Sequence, residues 1–227
     1  MADAADRREG AARVNARHAS DRDERYAARL ESFGDIVIGF SLAQLALSFS
    51  FGPHLDGRML SGELTAFFWT FAMTAWLWLL YRRIGEDYFV PRASMVALHM
   101  VGLAGIVLLI FGVQLVMHYG TPPAPPDEAQ IAVVFYFVVL ALTLAACGTQ
   151  FAVGAWMRRG SIDPETSRRG KLTAYRLIAM AVCVLATAAV LPLHGMAATV
   201  FLLPSMAGGS IIGRLVGSFA LRRSVPG

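Results

Sequence analysis

Asp35, Tyr81 and His99 are the residues of this 227-residue chain whose types and positions could do chemistry. Asp35 ends the stretch RLESFGD (29–35), which stands between an arginine-rich segment and the apolar run IVIGFSLAQLALSFSF. A carboxylate just inside a membrane helix is costly and finds a partner within the bundle, as a structural lock or as part of a proton or ion path. If that helix enters the membrane near residue 30, Asp35 lies about 7 Å deep at about 1.5 Å per residue. His99 reaches a similar depth in a helix that begins near Ser94, and Trp78 and Tyr81 lie in the last turns of the helix between the two. Arg29 stands at the entrance. These residues predict a polar cluster of Arg29, Asp35, Trp78, Tyr81 and His99 that braces three helices without touching a permeant species.

The elements that must position this cluster are membrane spans. The chain is 56% hydrophobic and only 16% charged, well below the quarter of charged residues usual in a soluble domain. Apolar runs long enough to cross about 30 Å of hydrocarbon recur at roughly 33–51, 62–81, 94–117, 130–156, 172–192 and 196–220. The expected fold is therefore all-α, a polytopic membrane protein with six transmembrane helices. Residues 29–221 form the membrane domain, residues 1–28 a charged tail and residues 222–227 a short second tail. The first 29 residues mix seven Arg with six acidic residues, unlike a signal peptide, and the first 25 read as a disordered or surface-lying tail.

The net charge of +4 does not imply nucleic acid as a partner, because the cations sit at membrane edges. The loop after the second span has Arg82, Arg83 and Arg92; the loop after the fourth has Arg158, Arg159, Arg168, Arg169 and Lys171. Arg222 and Arg223 follow the sixth span, whereas the first loop holds only Arg58 and the third and fifth hold no cation. This alternation is the positive-inside pattern, which puts both termini in the cytoplasm of a cell whose inner membrane the chain spans.

No motif for a nucleophile, a phosphate loop or a metalloprotease is present, so no enzyme is expected. The histidines show no metal-ligand spacing, and His54, His118 and His194 fall at exterior helix ends. Cys147 and Cys183 read as inert thiols inside spans. Neither a metal nor a cofactor is expected. Gly209, Gly213 and Gly217 form overlapping small-xxx-small repeats, and Gly102 with Gly105 a weaker notch, both signals of close helix packing. Pro192 and Pro204 are expected to end or kink the fifth and sixth helices. Loop TPPAPPDE reads as a rigid connector. Arg176 and Arg214 are expected to snorkel toward headgroups.

Residues on a helix advance about 100° each, which aligns Phe33, Val37, Phe40, Gln44, Leu47 and Phe51 on one face. Asp35 lies about 200° from Phe33, with Leu42 and Phe49. The first helix thus carries a bulky apolar stripe interrupted by an amide, with a carboxylate away from it. Taken alone, the stripe reads as packing against a neighbour.

Arg29-x-x-x-Phe33-Gly34-Asp35 resembles the R-x-x-x-F-S-D signature of the endosomal/lysosomal potassium channel family, of the transmembrane protein 175 type. The segment TFAMTAWLWLLYRR is similar to the family's second helix. The specific motifs cover the first three helices, and the topology covers the whole chain. The resemblance implies a homotetramer whose pore is lined by the first helix, and it adds Phe33 to the polar cluster. It implies a hydrophobic constriction at Phe40, a selectivity position at Ala43, and pore-lining roles for Gln44 and Leu47. The chain departs from the family in three places: Gly34 replaces Ser, Tyr81 replaces a second-helix His, and Ala43 replaces Thr. The expected function is a channel for potassium or other monovalent cations in the lipid bilayer. The alternatives are a proton pathway or proton-coupled transporter through Asp35, Tyr81 and His99, and a non-conducting scaffold of the same fold.

Overall fold

The computed structural model describes the backbone of residues 2–47, 57–119, 126–194 and 202–223, and the side chains of residues 25–47, 64–119, 127–191 and 202–222. Phe49, Phe51, His54 and most of the proline-rich connector lie outside the described residues. So does the side chain of His194.

The protein is an all-α polytopic membrane protein. Its helices are α1 (Ala2–Leu47), α2 (Gly57–Arg83), α3 (Ala93–Tyr119), α4 (Pro126–Met157), α5 (Pro164–His194) and α6 (Leu202–Arg223). Among the described residues, five segments are long and apolar enough to cross a membrane: Arg25–Leu47, Leu64–Tyr88, Ala93–Tyr119, Asp127–Met157 and Pro164–Leu191. The sixth expected span is a 22-residue helix that falls outside this set. It carries Arg214 among its apolar residues and packs along α5.

The amino-terminal segment is helical from Ala2 and continuous with α1. Seven Ala and five Arg among residues 2–24 favour helix even without an apolar face.

α4 forms the centre of the bundle, between α3 and α5. Leu140, Leu144, Cys147 and Phe151 are fully enclosed, at intervals of three or four residues. Cys183 is half-buried, so only one of the two thiols is enclosed. α6 lies on α5 through its glycines, as the small-residue pattern predicts. A Cβ on Gly209 would come within 2.6 Å of Met180 Cα, and one on Gly213 would strike the α5 backbone at Tyr175 and Arg176. The exposed Arg176 donates to Ser210 Oγ of α6 from Nη2 at 2.9 Å. Arg214 is exposed. Pro204 sits in the first turn of α6, where its missing N–H leaves no bond unmade. Pro192 lies in the last turn of α5, which ends two residues later.

α1 and α2 stand at the edge, against α3 and each other. The packed face of α1 is Leu30, Gly34, Ile38, Ser41 and Leu45. Between α2 and α3 the chain makes a π-helical turn, Ile84–Tyr88, that the sequence did not lead us to expect. The turn thrusts Tyr88 between α4 and α5. Its hydroxyl donates to Thr166 O at 2.8 Å, and its ring meets Phe151 edge-on at 5.1 Å. Only glycine fits opposite it: a Cβ on Gly154 would lie 2.6 Å from Tyr88 Cβ. Arg158 Nη1 donates to Asp87 O at 2.8 Å. These contacts gather the loop cations at one end of the bundle, called the basic end below.

Candidate functional site

At the basic end, α1, α2 and α3 enclose a cavity of about 40 Å³, enough for a water or two or a small ion. Gly34, Asp35, Trp78, Tyr81 and His99 line it, together with Glu31 and Arg82. Four of the residues that sequence spacing grouped by depth therefore do meet.

They meet as two linked pairs. At the rim, Trp78 Nε1 donates to Asp35 Oδ1 at 2.7 Å. Such a bond to a carboxylate is charge-assisted, and it supplies the partner that an intramembrane Asp needs. Deeper in, Tyr81 and His99 are each about 5% exposed, their rings 4.6 Å apart. The Tyr81 hydroxyl donates to the carbonyl of His99 at 2.9 Å. That hydroxyl occupies the space a side chain on residue 102 would need, which is why Gly102 is glycine. The notch read from Gly102 and Gly105 is thus a fitted one: Gly105 receives Thr143 of α4 in the same way.

The residue that completes the inner pair is Gln150 of α4, which sequence reasoning missed. It is fully buried. Its Oε1 lies 3.1 Å from His99 Nδ1, and its amide nitrogen donates to the Tyr81 hydroxyl at 3.4 Å. Oε1 accepts, so Nδ1 carries the proton in this arrangement. An amide alone in the run LTLAACGTQFAVGAW was the available signal, because a buried amide in a membrane core requires a partner. Phe89, packed edge-on to His99 at 5.7 Å, closes the far side.

Arg29 and Phe33 are not part of this arrangement. Both are exposed, and Phe33 is 48% so. They sit one helical turn apart on the outward stripe of α1, away from the packed face that begins at Leu30. Arg82, not Arg29, is the cation at the cavity, and it pairs with Glu86 at 2.9 Å. Gly34 is buried, but a Cβ there would make only ordinary contact with Leu103 at 3.6 Å, so packing does not force the departure from serine.

The outward stripe continues up α1. Ile36, Phe40 and Leu47 are 70%, 71% and 77% exposed, and Ala43 and Gln44 are exposed between them. Gln44 makes no hydrogen bond among the described residues. Asp35 is turned toward Trp78, off this stripe. No group of side chains able to hold a metal occurs among the described residues. Comparison with protein-family models, curated proteins and solved structures finds no match.

Proposed function

We propose that this protein is a potassium-permeable cation channel, in which α1 from each of four copies lines a central pore. The observation that carries the reading is the outward stripe of α1. Among the described residues of the helix, Phe40 and Leu47 are the most exposed large apolar side chains, and an amide, Gln44, lies between them. Hydrocarbon would deprive Gln44 of every hydrogen bond, whereas a water-filled path shared by four copies satisfies it. Phe40 and Leu47 are about 10 Å apart along the axis, so they form two apolar rings that gate by dewetting, with an amide ring between. Ala43 narrows nothing and offers no hydroxyl, which favours weak discrimination among monovalent cations. The likeness of residues 29–35 to the potassium channel signature supports the same assignment. In this reading the basic end faces the cytoplasm of the inner membrane, as the loop charges favour.

The Asp35–Trp78 bond then holds α1 against α2 so that its stripe faces the fourfold axis, and the Tyr81–His99–Gln150 network fixes α2 to α3 and α4 behind it. Proton conduction is the second reading, favoured by the hydrogen-bonded run from His99 through Gln150 to Tyr81 beside a cavity large enough for water. That run stays at one depth and does not continue across the membrane.

Cysteine accessibility tests the pore assignment. Gln44→Cys in a background lacking Cys147 and Cys183 reacts with a charged, water-soluble thiol reagent in liposomes. Reaction only with a lipid-soluble reagent would place the stripe in hydrocarbon and end the channel reading.

A further inference from the structure

A groove opens at the α5–α6 side of the basic end. Two cavities adjoin there and share Lys171 and Leu221. The outer one, about 520 Å³, is lined by Arg159, Arg168, Lys171, Arg222 and Ser167. The inner one, about 450 Å³, is walled by Ala152, Ala174, Tyr175, Ile178 and Ala220.

The sorting of the charges is specific. The α4–α5 loop region has five cations, and two are used within the fold. Arg158 holds the carbonyl of Asp87, and Arg169 pairs with Glu165 at 3.0 Å. The other three turn into the outer cavity, where Arg222 of α6 joins them. Among the described residues no carboxylate lines it: Glu165 is taken by Arg169, and Asp163 caps α5 by accepting from Thr166 N at 2.9 Å. Four cations converging with no counter-anion among the described residues suit a phosphate group with several oxygens.

The order of side chains along α5 matches the order of groups in a phospholipid. Arg168, Lys171, Tyr175 and Ile178 share one face, at steps of three, four and three residues. Read into the membrane, they run from cation to phenol to aliphatic chain, as a lipid runs from phosphate to ester to acyl chain. We infer that one anionic phospholipid seats here, its phosphate among Arg159, Arg168, Lys171 and Arg222 and an acyl chain between α5 and α6. Basic pockets between helices on one membrane face are suited to such headgroups. The inference is independent of ion conduction.

The test is native mass spectrometry of the delipidated full-length protein, titrated with phosphatidylglycerol, phosphatidylcholine or soluble glycerol phosphate. Phosphatidylglycerol is expected to bind about tenfold more tightly than phosphatidylcholine or better. Arg168→Gln with Arg222→Gln weakens that binding about tenfold, while Arg83→Gln with Arg92→Gln, which removes equal charge elsewhere at the same end, leaves it unchanged. Ala220→Phe, which fills the acyl groove, weakens phosphatidylglycerol and leaves glycerol phosphate as it was. Equal binding of the two lipids overturns the inference, as does an equal loss in the control variant, which would mean a diffuse surface potential. Glycerol phosphate competing on equal terms, with Ala220→Phe silent, would make this a free phosphate-ester site and exclude the lipid.

Discussion

Trp78 donates its indole N–H to Asp35 at 2.7 Å, and this one bond ties the edge helix α1 to α2 at the end where α1 enters the membrane. It converts a costly carboxylate into a fastening, because the charge is met by a donor that cannot ionise or leave. The same bond turns Asp35 away from the stripe of Phe40, Gln44 and Leu47.

Asp35→Ala and Trp78→Phe should therefore destabilise the protein through one shared interaction. In a double-mutant cycle read by thermal unfolding in detergent, the coupling is expected to be about 1 kcal/mol, and the double variant to lose little more than the worse single one. Additive losses would mean that the bond carries no weight.

Gly102 and Gln150 test the inner network. Gly102→Ala drives a methyl into the Tyr81 hydroxyl and should cost about 1–3 kcal/mol. Gln150→Leu keeps the volume but strands His99 Nδ1, with a similar cost of about 1–3 kcal/mol. Because Tyr81 is displaced in the first and loses a donor in the second, the two effects should combine less than additively. The measurement is again unfolding in detergent.

Which parts of this site were legible in the sequence follows from what each reading could measure. Depth along a helix needs only the residue count, so Asp35, Trp78, Tyr81 and His99 were brought together correctly. Face needs the angle as well. Arg29 entered the group through its place at the helix entrance and Phe33 through its place in a motif, and their angle puts them on the outward stripe. Gln150 was missed because it comes from α4, which the reckoning by depth never reached. That residues 2–24 are helical was not read from their mixed charge, although Ala and Arg, which make up much of the segment, are strong helix formers. The π-helical turn at Ile84–Tyr88 left no mark in periodicity, since its cause is tertiary: Tyr88 docks against Gly154 and Gly170.

Gly213 predicts the behaviour of α6. A side chain there meets the α5 backbone, which cannot rotate away, so Gly213→Leu should separate the pair. Proteolysis between α5 and α6 is expected to be faster than in the wild type. Gly208→Leu, where a Cβ meets nothing within 4 Å, should leave the rate unchanged.

Asp163 gives a pH dependence outside the membrane. Hydrogen bonds from Thr166, first the side chain and then the backbone N–H, hold its carboxyl below the usual carboxylate range. A folded-state value lower than the unfolded one means that the cap supports α5 above the unfolded value of about 3.9 and fails as pH falls through the folded value. Amide exchange in the first turn of α5 should accelerate, relative to neighbouring helix, as pH drops below about 4. Asp163→Asn keeps an acceptor and should abolish that dependence.

In the proposed function α1 lines an ion path constricted at Phe40, and potassium flux from liposomes holding the purified protein under a K⁺ gradient, with proton movement recorded in parallel, measures it. The account predicts K⁺ flux in the wild type, faster flux in Phe40→Ala, and block when Gln44→Cys is modified from the aqueous side. No K⁺ flux from either the wild type or Phe40→Ala would contradict it, and flux of protons alone would transfer the function to the Tyr81–Gln150–His99 network.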